Sequence, residues 1–503
     1  MRSYSFLPVA LAALLLAGCA VGPDFHTPDT PADARYTAGP QPVRMPATGY
    51  PTQALQAGDV PAQWWTLFGN PQLDETVRLA LANSPTLTQA RARLREAQEN
   101  LAARTGATQF PQVDAKLTAT RQQVDLTSVG ITQFPSPGPF TLYNASVQVS
   151  YALDLFGGQR RELEGLRAAV DYQRYELEAA RLSLAANVAT TAIREAGLRA
   201  QLADTVAIAE AQQRQLGIMQ QRLKLGGVAR VDVQRQQSEL AQTQALVPGL
   251  SQQLDATRHQ LAVYTGQTPA SAQLPEFWLD DLHLPETLPL SLPGELARRR
   301  PDIRAAEALL HQASADIGVA TANLYPQITL TASGGTQQMR ARDLFSSLNV
   351  WSLAAGVVQP VFHGGELRAQ KRAKEAAYEQ SLGAYRQAVL QGLQNVADTL
   401  RALDADAGTL QARADNATQT RDTLAIVNEQ YRLGGVSQFT VIDAERQARQ
   451  AALDLSQARA ARLADSAALM QALGGGWWGE EGAGPEAGSG PASSSASTVG
   501  SLK

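Results

Sequence analysis

Leu225-Gly226-Gly227-Val228-Ala229-Arg230-Val231-Asp232-Val233 and Leu433-Gly434-Gly435-Val436-Ser437-Gln438-Phe439-Thr440-Val441 spell one turn twice, with five of nine positions identical at an offset of 208 residues. Leu-Gly-Gly-Val reads as a helix stop, because glycine takes the left-handed conformation that closes a helix. Other landmarks recur in the same order at nearly the same offset. Phe156-Gly157-Gly158 answers Phe362-His363-Gly364-Gly365, Phe110-Pro111 answers Tyr325-Pro326, and helical runs follow both Ser84-Pro85 and Arg300-Pro301. The period is far above the roughly 20–50 residues of solenoid repeats. The chain is a tandem duplication of helix, strand, strand, long helix, turn, long helix.

The helices before the two turns are unusually long. Gln159 to Lys224 and Glu366 to Leu433 contain no proline. At ~1.5 Å per residue each spans ~100 Å, which a globular domain does not use. Leu163, Leu166, Val170, Gln173, Leu177, Ala180 and Leu184 keep 3,4 spacing, and Leu382, Tyr385, Val389, Leu393, Val396, Leu400 and Leu403 nearly keep it. That is coiled-coil packing. The partners are the return helices, Val231 to about Thr265 and Phe439 to about Leu473, so each pair is a hairpin with glycine at its tip. Pro248 should bend the first return helix.

The strands come in pairs with period two. Val113, Ala115, Leu117 and Ala119 alternate with Gln112, Asp114, Lys116 and Thr118. Asn144 to Leu155, Gln327 to Ser333 and, more weakly, Trp351 to Val357 repeat the pattern. Between them lie a Pro/Gly loop, Phe134 to Pro139, and a polar loop, Gln337 to Asn349. Tyr143 and Trp351 sit where an interfacial aromatic belt would. One greasy face fits a soluble antiparallel sheet. It also fits strands crossing a bilayer, which need about 9–11 residues.

The N-terminus bears on that choice. Phe6 to Leu16 is an apolar stretch after Met1-Arg2, and Leu16-Ala17-Gly18-Cys19 closes it with the one cysteine of the chain. This resembles a bacterial lipoprotein signal, with cleavage before Cys19 and lipid on its thiol and new amino group. The organisation reads as a signal peptide over 1–18, a lipidated N-terminal segment over 19–70, repeats over 71–270 and 293–476, a linker over 271–292 and a disordered tail over 477–503. The formal charge of −4 argues against a nucleic-acid partner. His26, His259, His283, His311 and His363 show no metal-binding spacing. No P-loop, nucleophile elbow or acid/base pair marks a catalytic residue. The reading is of a protein that is no enzyme, with no metal and no cofactor beyond covalent lipid on Cys19.

Four strands cannot close a membrane barrel, for which roughly eight is the minimum. An open edge in lipid leaves backbone groups unsatisfied. Several copies must therefore share one barrel. Two give eight strands and three give twelve, and either closes by rotation.

The chain resembles the outer-membrane factor (TolC-like) family of tripartite efflux and type I secretion systems, in its NodT-type lipoprotein branch serving RND-type pumps. The residues that carry the resemblance include Cys19-Ala20-Val21-Gly22-Pro23-Asp24-Phe25, Trp64-Trp65-Thr66-Leu67-Phe68-Gly69-Asn70-Pro71-Gln72-Leu73-Asp74, Arg299-Arg300-Pro301-Asp302-Ile303-Arg304-Ala305-Ala306-Glu307 and Leu473-Gly474-Gly475-Gly476-Trp477. The resemblance implies a mainly α fold with membrane β. It implies a homotrimer in which a 12-strand barrel in the outer-membrane lipid continues into a 12-helix barrel in the periplasm. It implies a passive exit duct for substrates handed over by an inner-membrane pump and a periplasmic adaptor. The adaptor-facing tips are then Gly226, Gly227, Val228, Gly434, Gly435 and Val436. The alternatives are the outer component of a type I secretion system and a non-pore periplasmic lipoprotein scaffold.

The resemblance also implies a periplasmic gate after the second tip, where a Tyr-x-x-Gly turn precedes two aspartates one helical turn apart. Tyr431 and Gly434 match the turn, Asp443 matches the second aspartate, and Thr440 stands where the first is expected. Asp232 matches another aspartate of the same constriction. Rings of carboxylates repel one another and attract cations, so closure calls for counter-ions, with Arg230 and Arg432 as candidates. Without the resemblance, Asp232 and Asp443 read as ordinary acidic residues near helix starts. Arg298-Arg299-Arg300 is expected to pair with carboxylates and Trp64-Trp65 to anchor core.

Overall fold

A computed structural model describes residues 20–33, 35–39, 44–45, 52–123, 125, 130, 133, 138–346 and 348–478. Cys19, most of the Phe134–Pro139 loop and the tail beyond Trp478 lie outside the described residues.

In chain order the elements are β1 (Arg44–Met45), β2 (Gln53–Ala57), α1 (Pro71–Asn83), α2 (Pro85–Gln109), β3 (Gln112–Gln122), β4 (Phe140–Leu153), α3 (Gly158–Lys224), α4 (Arg230–Tyr264), β5 (Thr287–Leu290), α5 (Pro293–Arg299), α6 (Pro301–Ala322), β6 (Gln327–Gln338), β7 (Val350–Val358), α7 (Glu366–Arg432) and α8 (Gln438–Ala472). The duplication is stricter than the sequence alone suggests. α3 and α7 each have 67 residues, α4 and α8 each have 35, and every one of their ends keeps the 208-residue offset. α4 runs through Pro248 as one helix.

The chain divides into two compact units, neither of which coincides with a repeat. The first is Met1–Asp29, Gln89–Leu177 and Asp302–Leu390; the second is Thr30–Thr88, Glu178–Pro301 and Gln391–Lys503.

The first unit holds a four-stranded sheet in the order β3-β4-β6-β7, antiparallel throughout. The register turns four separate alternations into one. Leu117 pairs with Ala145 and Val147 with Gly334, which pairs in turn with Trp351; Val149, Ala332 and Leu353 form the next row. These rows form an apolar face. Lys116, Ser146, Ser333 and Ser352 belong to the other face, where the hydroxyls of Ser333 and Ser352 are 2.8 Å apart. β6 extends to Gln338, two residues into the segment read as a loop. Beside the sheet, the N-terminal strap is pinned to the start of α3. Val21 N donates to Phe156 O at 3.0 Å, and Arg161 bonds Asp24 at 2.6 Å and Glu164 at 2.8 Å. A Cβ on Gly157 would stand 2.6 Å from Ala20 Cα, so only glycine fits there. Phe25 stacks on His311 at 4.4 Å, and His311 Nε2 lies 2.9 Å from Glu164 Oε1.

The second unit contains a sheet that periodicity did not reveal. β1 is antiparallel to β2, and β2 is parallel to β5. The segment read as a linker, 271–292, supplies β5. Trp64, Phe68, Leu73 and Val77 are buried around α1, which Asn70 caps by accepting from Leu73 N at 2.9 Å. Trp65 Nε1 donates to Asp74 at 2.9 Å. Trp477, placed in the tail by sequence, donates to Arg299 O at 2.8 Å. The arginine run does not act as one cluster. Arg299 pairs with Asp59, whereas Arg300 is buried and donates to Ala472 O at 2.8 Å.

Candidate functional site

Both turns close their helices in the same way. Gly226 and Gly434 have φ of +75° and +78°. Gly227 N donates to Arg222 O and Gly435 N to Gln430 O, each at 2.8 Å, while Gly226 and Gly434 each bond a carbonyl three residues back at 3.0 Å. This is a Schellman cap, and it satisfies carbonyls that the helix end would otherwise orphan. The valine after each glycine pair packs back onto its hairpin. Val228 meets the cluster of Leu216, Met219, Val233 and Leu240, and Val436 meets Val427, Val441 and Ala444. The leucine before each pair points out: Leu225 is 86% and Leu433 71% exposed.

The starts of the return helices differ. Ser437 caps α8 by accepting from Thr440 N at 3.3 Å, and its hydroxyl is 3.1 Å from that of Thr440. Ala229, in the matching backbone conformation, offers no side-chain cap to α4. Thr440 and Asp232 are therefore the same position of the repeat, the third residue of each return helix. Asp232 suits the positive end of a helix that lacks a cap, and Thr440 completes a cap already supplied.

Arg222 is one of the residues that tie the two hairpins together at their tips. Arg222, in the last turn of α3, donates to the hydroxyl of Tyr431, and its guanidinium lies 5.5 Å over that ring. The same nitrogen reaches Gln438 Oε1 at 3.5 Å. Nothing in the spacing of Arg222 marked it, because its partners lie about 210 residues away. Beside it is a cleft of about 400 Å³ walled by α3, α4 and the start of α8, with Asp232, Arg235, Glu239, Phe439 and Ile442 among its residues. Arg235 lies 5.2 Å over the Phe439 ring.

Asp443 is not part of that cleft. It accepts from Arg446 at 2.8 Å and Gln447 at 2.6 Å, both on its own helix. The hydrogen bond raises the Arg446 pKa. Neither Arg230 nor Arg432 is the partner of Asp443 in this chain. Arg432 is engaged by Glu429, whose pKa it lowers through their hydrogen bond, and Asp443 takes Arg446 instead. The structure brings Tyr431 into the contact between hairpins, gives Asp232 a wall of the cleft, and leaves Thr440 and Asp443 to local bonds.

Paired long hairpins, written twice and joined to an antiparallel sheet with one apolar face, define an outer-membrane channel subunit. Comparison with known proteins agrees. The family model described as outer membrane efflux protein matches residues 76–267 and 292–475, one stretch per repeat. The pyoverdine export outer membrane protein OpmQ of Pseudomonas aeruginosa is 32% identical over 477 residues, covering 94% of this chain and 97% of the relative. A probable efflux pump outer membrane protein of Pseudomonas putida, TtgC, is 28% identical over 488 residues, covering 95% and 97%. The solved outer-membrane channel OprN superposes with a TM-score of 0.81 at 29% identity, covering 91% of this chain and all of the other. The chain belongs to the outer membrane efflux protein family and resides in the outer membrane.

Proposed function

We propose that three copies of this chain form the exit duct of a tripartite efflux pump, passing substrates outward with no energy source of their own. The observation that carries the reading is the four-stranded sheet with one apolar and one polar face. Among the described residues no helix is long and apolar enough to cross a membrane; in this reading the four strands are the membrane-crossing element. In lipid their outermost edges, β3 and β7, need partners. Three copies give twelve strands, with the apolar face toward lipid and the polar face toward the lumen. Relatives named for pyoverdine export and toluene efflux support small organic cargo, chosen upstream by the pump.

The tips supply the partner surface. Leu225 and Leu433, held out by matching turns, repeat as six apolar points around a trimer, a fit for a periplasmic adaptor. The Arg222–Tyr431 contact is the latch between hairpins, with Asp232 and Asp443 setting the charge of the throat. An exposed cation–π contact is worth ~0.5–1 kcal/mol, weak enough for an adaptor to open. Lipid on Cys19 anchors the start of the chain. Its neighbours Ala20 and Val21 rest at Gly157 and Phe156, where β4 passes into α3. Single-channel recording in planar bilayers tests the duct: discrete cation-permeable openings are expected, and a bilayer that stays silent under trimeric protein overturns it.

A further inference from the structure

We propose that the apolar face of the sheet carries, at its loop end, a seat for one acyl chain of a phosphorylated glycolipid of the outer leaflet. The inference rests on the membrane reading of that face. α2, α3, α6 and α7 join the strands at Gln112, Leu153, Gln327 and Val358, so the ends that bear only loops face outside. There a cavity of about 480 Å³ lies on the apolar face, floored by Leu117, Ala145 and Val147 and roofed by Phe345 and Leu348. Gly334 makes the room, because it stands in register between Val147 and Trp351 with no side chain. The size is that of a ligand pocket.

Three further observations say what fills it. The loop that roofs the cavity is held in place: Gln337 N donates to Asn349 Oδ1 at 2.8 Å, Asn349 Nδ2 to Gln337 O at 3.0 Å, and Asn349 N to Gly335 O at 3.1 Å. It nonetheless leaves Phe345 84% and Leu348 75% exposed, which is unfavourable in water and favourable among hydrocarbon chains. The hydroxyl of Thr336, 6% exposed and without a partner, lines the same cavity. An ester or hydroxyl on an acyl chain gives it one. Three arginines stand toward the loop end. Arg121 continues the Leu117, Ala119 side of β3, and Arg340 and Arg342 follow the end of β6, with Asp343 3.6 Å from Arg342 as the nearby carboxylate. Guanidinium groups bind phosphate in a bidentate fork. Greasy cavity, unpaired hydroxyl and cationic rim stand in the order of chain, linkage and phosphate in an acylated, phosphorylated glucosamine lipid. A zwitterionic phospholipid lacks the net charge, and inorganic phosphate lacks the chain.

Full-length protein in mild detergent, incubated with hexa-acylated bisphosphorylated lipid A, gives bound lipid per subunit by native mass spectrometry. Wild type should retain lipid A at least about fivefold better than phosphatidylcholine or dephosphorylated lipid A, a difference of ~1 kcal/mol. Gly334→Val fills the cavity, and the nearest atom to a Cβ there is Leu348 Cδ1 at 4.0 Å, so the backbone has room. It and Arg340→Ala/Arg342→Ala should each lower retention by a similar factor. Equal retention by wild type and both variants, or equal retention of phosphatidylcholine, overturns the seat. If Gly334→Val fails to assemble, the exposed double arginine variant decides. Conductance of the same preparations separates the two readings: an open channel with indifferent lipid binding sinks only the glycolipid seat, and a silent one sinks the duct.

Discussion

Arg222 shows what a single side chain decides here. Its bonds to Tyr431 and Gln438 span the two hairpins, whereas the bonds of Asp443 stay within α8. If the tips are a gate, Arg222→Ala should raise resting conductance several-fold and more than Asp443→Ala does; indistinguishable traces from both variants and wild type would refute the latch. A second residue matters for pH. Burial and the neighbouring Asp406 carboxylate push the pKa of Asp465 from 3.8 up to about 6. A carboxyl raised in the folded state contributes stability below its unfolded pKa and loses it as pH rises through the folded value. The loss therefore falls between about pH 4 and pH 6. Asp465→Asn removes it, so the variant should melt a few degrees above wild type at pH 7 and level with it near pH 4. A gap that does not widen with pH counts against this assignment. Arg462 beside it is fully buried, donates to Leu403 O at 2.8 Å, and has its own pKa lowered by burial.

At the scale of elements, the repeat holds the backbone and releases the side chains. The four long helices keep length and offset, and both turns keep the glycine cap, because a hairpin of this reach fails if either arm slips by a residue. The caps at the return helices are free to diverge. Ala229 has φ −81° and ψ 149°, close to the −77° and 158° of Ser437. Ala229→Ser should therefore stabilise by ~0.5–1 kcal/mol, and Ser437→Ala should cost about the same. Denaturant midpoints measure both; equal and opposite shifts are expected, and a Ser437→Ala protein as stable as wild type would show that the cap is idle.

At the scale of the molecule, closure is the governing fact, since a half-finished wall of hydrogen bonds in lipid is unstable. Much of this was legible in one dimension. Period two marked all four membrane strands, absence of proline marked the two 67-residue helices, and Gly-Gly marked the tips, since each signal is read along one continuous stretch of chain. The matching turns followed from Leu225–Val233 and Leu433–Val441. Other features needed the folded chain. The pairing of β4 with β6, which joins the repeats into one sheet, depends on residues such as Val147 and Gly334 that lie far apart in sequence. β1 and β5 are too short for a periodic signal and exist only because β2 lies between them. Arg222 meeting Tyr431, Trp477 meeting Arg299 and Ala20 resting on Gly157 are likewise long-range encounters. Local backbone preference and side-chain period are properties of the chain itself and determined the elements. Which faces meet depends on filling space and satisfying buried polar groups across hundreds of residues, and only the tertiary structure decided that.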